Sequence, residues 1–231
     1  MSQNVSNTTS ETAAQNTLFP FLNAPPELAS THASPLPFVF KIDVSDWAMT
    51  EEQFEQFSQA NPELKIEMSG KGELIIMPST GFIPGVKNTV LIARIFNWAE
   101  KDSSGIVADS STMYVLPNGA KRSPDVSWVL REKLTQFSQT ELQKYAPFAP
   151  NFVIELRSPS DSLKELQEKM TEYAENGVRL GWLIDPSKKQ VHIYKPNAEP
   201  RVLENPQTLS GEDVLNNFTL DLSEIWDLNV A

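Results

Sequence analysis

Cysteine is absent from the 231-residue chain. Disulfides, thiolate zinc sites, iron–sulfur clusters and cysteine nucleophiles are therefore excluded together, and a reducing, cytoplasmic setting is expected. Histidine is scarce. The two present, His32 and His192, lie far apart and form no pair at helical spacing from which a zinc hydrolase is built; His192 reads most simply as a strand residue. Only nine glycines occur, and no G-x-x-x-x-G-K phosphate loop is among them. Gly70-Lys71-Gly72 lies in a turn and lacks the third glycine of a dinucleotide site. The G-x-S-x-G elbow of a serine hydrolase is missing as well. Long apolar runs are lacking: VLIARIFNWA is interrupted by Arg94, and MSQNVSNTTSETAAQNT has no basic stretch followed by an apolar one, so neither secretion nor a membrane span is expected. Basic residues are in deficit, 19 Lys and Arg against 30 Asp and Glu, for a net charge of −11. Such a chain repels polyanions at long range, which argues against a protein that coats nucleic acid and makes any DNA binding weak and salt-sensitive.

What is present suits one globular domain, with 40% hydrophobic residues and enough length for a sizeable core. Residues 1–36, rich in Ser, Thr, Asn, Ala and Pro, read as a flexible arm, and residues 37–231 as the domain. TEEQFEQFSQANP places Phe54 and Phe57 on one face of a short helix that ends at Asn61-Pro62. LKIEM and ELIIMP flank a Gly-containing turn and predict a β-hairpin. The stretch VKNTVLIARIFNWAEK repeats apolar residues at Val90, Leu91, Ile95 and Trp98, the spacing of a helix with one buried face. Strand-like runs follow in IVADSSTMYVL, DVSWVL and FVIEL. A second helix begins with a Ser162-x-x-Glu165 capping box, buries Leu163, Leu166, Met170 and Tyr173 on one face, and stops at Asn176-Gly177. LGWLIDP and QVHIYKP predict a further hairpin, and the tail reads as an extended segment that docks Phe218, Leu220 and Trp226. The predicted class is α/β, a mixed sheet flanked by helices with an added N-terminal hairpin.

The chemistry concentrates in SPDVSWV and FVIELRS, two strand-like runs that carry one carboxylate each. Alternation puts Val153, Glu155 and Arg157 on one face of the second run and Phe152, Ile154 and Leu156 on the other. A carboxylate in such a buried run is costly unless paired or metal-bound, and Asp125 on a neighbouring strand offers a second ligand for a hard divalent cation. Lys169 lies at the edge of the apolar stripe of the following helix and can point toward the acids. Two carboxylates, a cation and a semi-buried amine are the requirements of metal-assisted phosphodiester hydrolysis. Blander roles stand beside these: Asp125 starting a strand, Glu155 paired with Arg157, Lys169 reaching solvent from a core helix.

The combination PELKIEMSGKGELIIMPSTG, DSSTMYVLPNGAKRSPDVSWV, FVIELRSPSDSLKELQEKMTEYAENGVRLGWLIDP and VHIYKP, spread over residues 45–227, resembles the Uma-two family of restriction-endonuclease-like proteins. The resemblance implies a restriction-endonuclease-like core of the PD-(D/E)xK superfamily and magnesium, or manganese, held between an Asp after Pro and a Glu on the next strand. Here these are Asp125 and Glu155, with the main-chain carbonyl of Leu156 as a further ligand. The chain departs from the superfamily pattern at Arg157, where E-x-K requires lysine, and arginine does not readily serve as a base. The resemblance implies that the lysine role has moved to Lys169, and that Glu67 matches an acidic position near the site, unless it is simply an exposed hairpin residue.

Ser110 and Ser111 could contact phosphate but suit a turn better. Lys121 and Arg122 could grip a DNA backbone or merely be solvated. Asn88 either touches water at the metal or caps its helix. Two functions are thus in view: a magnesium-dependent DNA endonuclease, with a two-fold homodimer to address both strands, and a nuclease-fold module that binds a protein or nucleic acid without turnover, which Arg157 and the negative charge favour.

Overall fold

The computed structural model describes residues 39–228; the expected arm, residues 1–36, lies outside them. Strand β1 (Phe40–Asp43) leads through a 3-10 turn (Ser45–Trp47) to helix α1 (Glu51–Ala60). The Thr50 hydroxyl accepts from the Gln53 amide and the Gln53 side chain accepts from the Thr50 amide, so a capping box fixes where α1 starts. The predicted hairpin forms from β2 (Lys65–Met68) and β3 (Glu73–Met77), paired antiparallel with Glu67 opposite Ile75. Helix α2 (Phe82–Asp102) starts earlier than the apolar repeat alone indicates, because Pro84 falls in its first turn, where no intrahelical N–H is needed. The run IVADSSTMYVL is cut into β4 (Gly105–Asp109) and β5 (Tyr114–Val115). Asp109 Oδ1 accepts from both the amide and the hydroxyl of Ser111, a turn that ends the ladder and gives Ser111 a structural partner.

The chain continues through β6 (Lys121–Arg122), β7 (Val126–Leu130), the short helices α3 (Arg131–Leu134) and α4 (Gln139–Leu142), β8 (Phe152–Leu156), α5 (Leu163–Glu175), β9 (Leu180–Asp185) and β10 (Gln190–Tyr194). Strands β11 (Arg201–Glu204), β12 (Thr208–Ser210) and β13 (Thr219–Asp221) and helix α6 (Ser223–Trp226) complete it. The tail is thus a small hairpin and a helical turn, not one extended segment, since Gly211 donates to the Phe218 carbonyl at 2.8 Å and folds it back.

The main sheet has six strands in the order β11-β10-β9-β8-β7-β4. Strands β8 and β9 are parallel and the other neighbours antiparallel, so the sheet is mixed, and α5 is the crossover that a parallel pair requires. A second, five-stranded sheet, β1-β3-β2-β6-β5, contains the hairpin. Alternation along β8 sorts the core into two layers. Phe152, Ile154 and Leu156 pack with Leu91, Ile95 and Ala99 of α2 and with Phe218, Leu220 and Trp226 of the tail. Val153 packs on the opposite face with Met170 and Tyr173 of α5. Gly181 in β9 lets α5 lie close, for a Cβ there would stand 2.5 Å from Met170 Cε. At its N-terminus α5 keeps half of the predicted capping box: Ser162 accepts from the Glu165 amide, while the Glu165 carboxylate turns to Lys41 at 2.8 Å. Among the described residues no helix is long and apolar enough to cross a membrane.

Candidate active site

The antiparallel register of β7 with β8 sets Val126 opposite Ile154. The preceding residue, Asp125, therefore falls beside Glu155 at one end of the main sheet. Two donors fix its carboxylate: the Leu156 amide reaches Oδ2 at 2.8 Å and Asn88 Nδ2 of α2 reaches Oδ1 at 3.2 Å. Leu156 thus meets Asp125 through its main chain while its side chain stays in the core.

Glu155 points to the α5 face, as its alternation with Ile154 and Leu156 predicts. Lys169 Nζ lies 2.7 Å from Glu155 Oε1 and 3.0 Å from Glu67 Oε1, and Tyr173, one helical turn beyond Lys169, donates its hydroxyl to Glu155 Oε1 at 3.1 Å. Glu67 is 1% exposed. It accepts from the Ser123 amide at 3.0 Å and from Arg122 Nη1 at 3.2 Å, and Arg122 Nε in turn donates to Glu172 at 2.6 Å. The result is a row of alternating charge from Glu172 through Arg122, Glu67 and Lys169 to Glu155. It clamps hairpin, α5 and main sheet together at the point where Asp125 arrives.

Burial works differently on each acid. It pushes the Glu155 carboxyl up to about 7, against the pull of Lys169 and with the repulsion of Asp125 and Glu67 added. It also raises Asp125, although Lys65, the Leu156 amide and Lys169 oppose it. For Glu67 the burial is outweighed by Lys169 and Arg122, which hold its carboxyl down to about 2. Burial alone would lower Lys169, but Glu155 and Glu67 keep it above its ordinary value, so it is a fixed ammonium.

Three carboxylates, Glu67, Glu155 and Glu172, thus share two ion-paired cations, Arg122 and Lys169, while Asp125 beside them is held by the Leu156 amide and Asn88. Among the described residues no three Asp, Glu or His side chains gather into a cage for a metal. Magnesium does not ask for one: it keeps several waters and is held through one or two carboxylates. Asp125 and Glu155 are hard oxygen donors at which ionisation is penalised by burial, the condition that a divalent cation relieves. Asn88 Oδ1 is buried beside Asp125 with no hydrogen-bond partner, an acceptor that water on such an ion would satisfy. The residues fit a hydrated, hard divalent cation.

The sequence model of the Uma2 family, described as "Putative restriction endonuclease", matches residues 51–223. The chain belongs to the Uma2 family. The Uma2 match runs from α1 into α6 and so contains every residue of the charged row. A crystal structure from Anabaena variabilis, described as "a putative nuclease belonging to DUF820", is similar in fold, with a TM-score of 0.61 at 17% identity over 70% of this chain and 89% of that one. No curated protein matches the Uma2 chain at a significant level.

Of the residues singled out in the sequence, Asp125, Glu155, Leu156, Lys169, Glu67 and Asn88 come together. Glu67 is a buried ion-pair partner, not an exposed hairpin residue. Two readings are corrected. Lys121 and Arg122 do not form a basic lip for DNA: they are 4% and 5% exposed, because β6 pairs with β2 and directs Arg122 onto Glu67 and Glu172. Arg157 does not pair with Glu155: its Nη1 donates to the buried Asp185 at 2.6 Å, joining the ends of β8 and β9. Tyr173 and Glu172 are site neighbours that the sequence alone did not single out as such. The four-residue spacing of Lys169 and Tyr173 was the available signal for the first.

Proposed function

We propose that this Uma2 protein is a metal-dependent endonuclease that hydrolyses DNA phosphodiester bonds, with Asp125 and Glu155 holding magnesium or manganese. The Leu156 carbonyl, carried over from the family resemblance, is a further ligand. The observation that carries the reading is the junction of Asp125 and Glu155 at one sheet end, with Lys169 Nζ 2.7 Å from Glu155. A hard divalent cation bound there supplies Lewis-acid polarisation of the phosphate and a lowered pKa for attacking water. Lys169, held charged by its two carboxylates, stabilises negative charge that develops on the phosphate rather than acting as a base. Glu67 positions Lys169, and the Leu156 amide and Asn88 orient Asp125.

The net charge of −11 goes with weak, salt-sensitive DNA binding, two sites related by a two-fold axis would address both strands of a duplex, and the cysteine-free sequence suits the cytoplasm. The alternative, a nuclease-fold module without turnover, is favoured by Arg157 at the superfamily's lysine position; Lys169 beside Glu155 weighs against it. The test is nicking of supercoiled plasmid at low salt. Wild type is expected to nick with magnesium or manganese and not with chelator, while Asp125→Ala and Glu155→Ala do not nick. Wild-type protein that cuts neither plasmid nor single strands with any divalent metal would favour the binding module.

A further inference from the structure

The cations that act most on Asp125 are Lys65 and Lys169, and they differ in one respect. Lys169 is bound to Glu67 and Glu155. Among the described residues nothing accepts a hydrogen bond from, or forms an ion pair with, the Lys65 ammonium. Lys65 is the first residue of β2, two before Glu67 and so on the same face of the strand. It stands opposite Met77, the end of β3, where the chain leaves for α2 and Asn88. Its charge is felt by both Asp125 and Glu67, yet it touches neither.

Lys121 and Lys133, two other lysines with partly buried stems, are satisfied within the protein. Lys121 donates to the Gly119 carbonyl at 3.0 Å and Lys133 to the Ala149 carbonyl at 2.8 Å. Glu67 already has three partners, its Oε1 accepting from Ser123 and Lys169 and its Oε2 from Arg122. Lys65 is therefore half-buried beside two acids with its three donors uncommitted, which suits an anionic ligand that arrives from outside the protein.

We infer that Lys65 is a substrate-binding residue that anchors a non-bridging phosphate oxygen of the DNA strand lying across Asp125 and Glu155. The inference rests on the nuclease reading for its ligand. An ammonium at this point offsets the repulsion between the acids and the incoming phosphate, a repulsion that the net charge of −11 otherwise makes unfavourable at every approach.

The experiment is a fluorescence-anisotropy titration of a short DNA duplex with wild type, Lys65→Gln and Lys65→Arg over a series of salt concentrations. Calcium replaces magnesium, and calcium binding is measured separately by calorimetry. Lys65→Gln is expected to bind DNA about tenfold more weakly, the loss of one charge-assisted hydrogen bond. The slope of log affinity on log salt should shrink by about one phosphate contact, calcium binding should be unchanged, and Lys65→Arg should restore the slope. A Lys65→Gln protein with wild-type affinity and slope, or one that loses calcium binding instead, overturns the inference, as does wild type without affinity for the duplex. Failure of the nuclease reading looks different: the Lys65 effect on binding persists while wild type fails to cut in magnesium.

Discussion

Replacing Glu155 by glutamine should make the metal-free protein respond less to pH, and the size of the effect follows from the site. The Glu155 carboxyl is 5% exposed and is pushed from 4.5 up to about 7, first by burial and then by Asp125 and Glu67. A folded-state value above the unfolded one means that the folded protein holds the proton more tightly. Stability is then complete below pH 4.5 and falls as pH rises through 7. Full ionisation costs about 3 kcal/mol, of which about 2 kcal/mol falls between pH 5.5 and 8. Urea unfolding with chelator present should therefore show wild type losing about 2 kcal/mol between these pH values relative to Glu155→Gln. Magnesium should restore the wild-type loss, since a ligand that binds only the folded, ionised site stabilises it by mass action. Parallel pH profiles for the two proteins would refute the argument that burial raises this carboxyl toward neutral pH.

Glu67→Gln should act at the other end of the pH scale. Its folded carboxyl is held at about 2, below its ordinary 4.5, so its contribution is present above pH 4.5 and is lost as pH falls through 2; wild type should lose about 2 kcal/mol relative to Glu67→Gln between pH 7 and 3, measured by the same unfolding. Lys169→Met leaves Glu67 and Glu155 buried without their shared cation, and should cost about 3 kcal/mol in urea unfolding and at least about 100-fold in plasmid nicking. Arg157→Lys restores the letters of the superfamily pattern but should not raise nicking. It should lower stability by about 1–3 kcal/mol, because lysine does not reproduce the guanidinium's bond to Asp185, which is fully buried; a more active variant would show that position 157, not 169, is where the lysine belongs.

The sequence made the elements of the site legible better than their meeting. Period-two alternation in FVIEL put Glu155 on the face opposite Ile154 and Leu156, and the apolar stripe of LKELQEKMTEY put Lys169 at its edge; both are local patterns that packing obeys. The mixed sheet and the hairpin were readable for the same reason. The adjacency of Asp125 and Glu155 depends on strand register, which no single strand encodes. The burial of Glu67 depends on Lys169, 102 residues away, and on Arg122, whose place before Pro124 reads as a solvated turn until β6 is seen to pair with β2. Lys65 left no signal at all, since what marks it is a missing partner, a property of the assembled fold.

The central claim is that Asp125 and Glu155 form one site for a divalent cation, and calorimetric titration of metal-free protein with manganese and magnesium tests it most directly. The account predicts one binding event in wild type that strengthens from pH 6 to pH 8 as Glu155 gives up its proton, with binding abolished in both Asp125→Asn and Glu155→Gln while each variant unfolds cooperatively. Binding of equal strength in wild type and in either variant would contradict it.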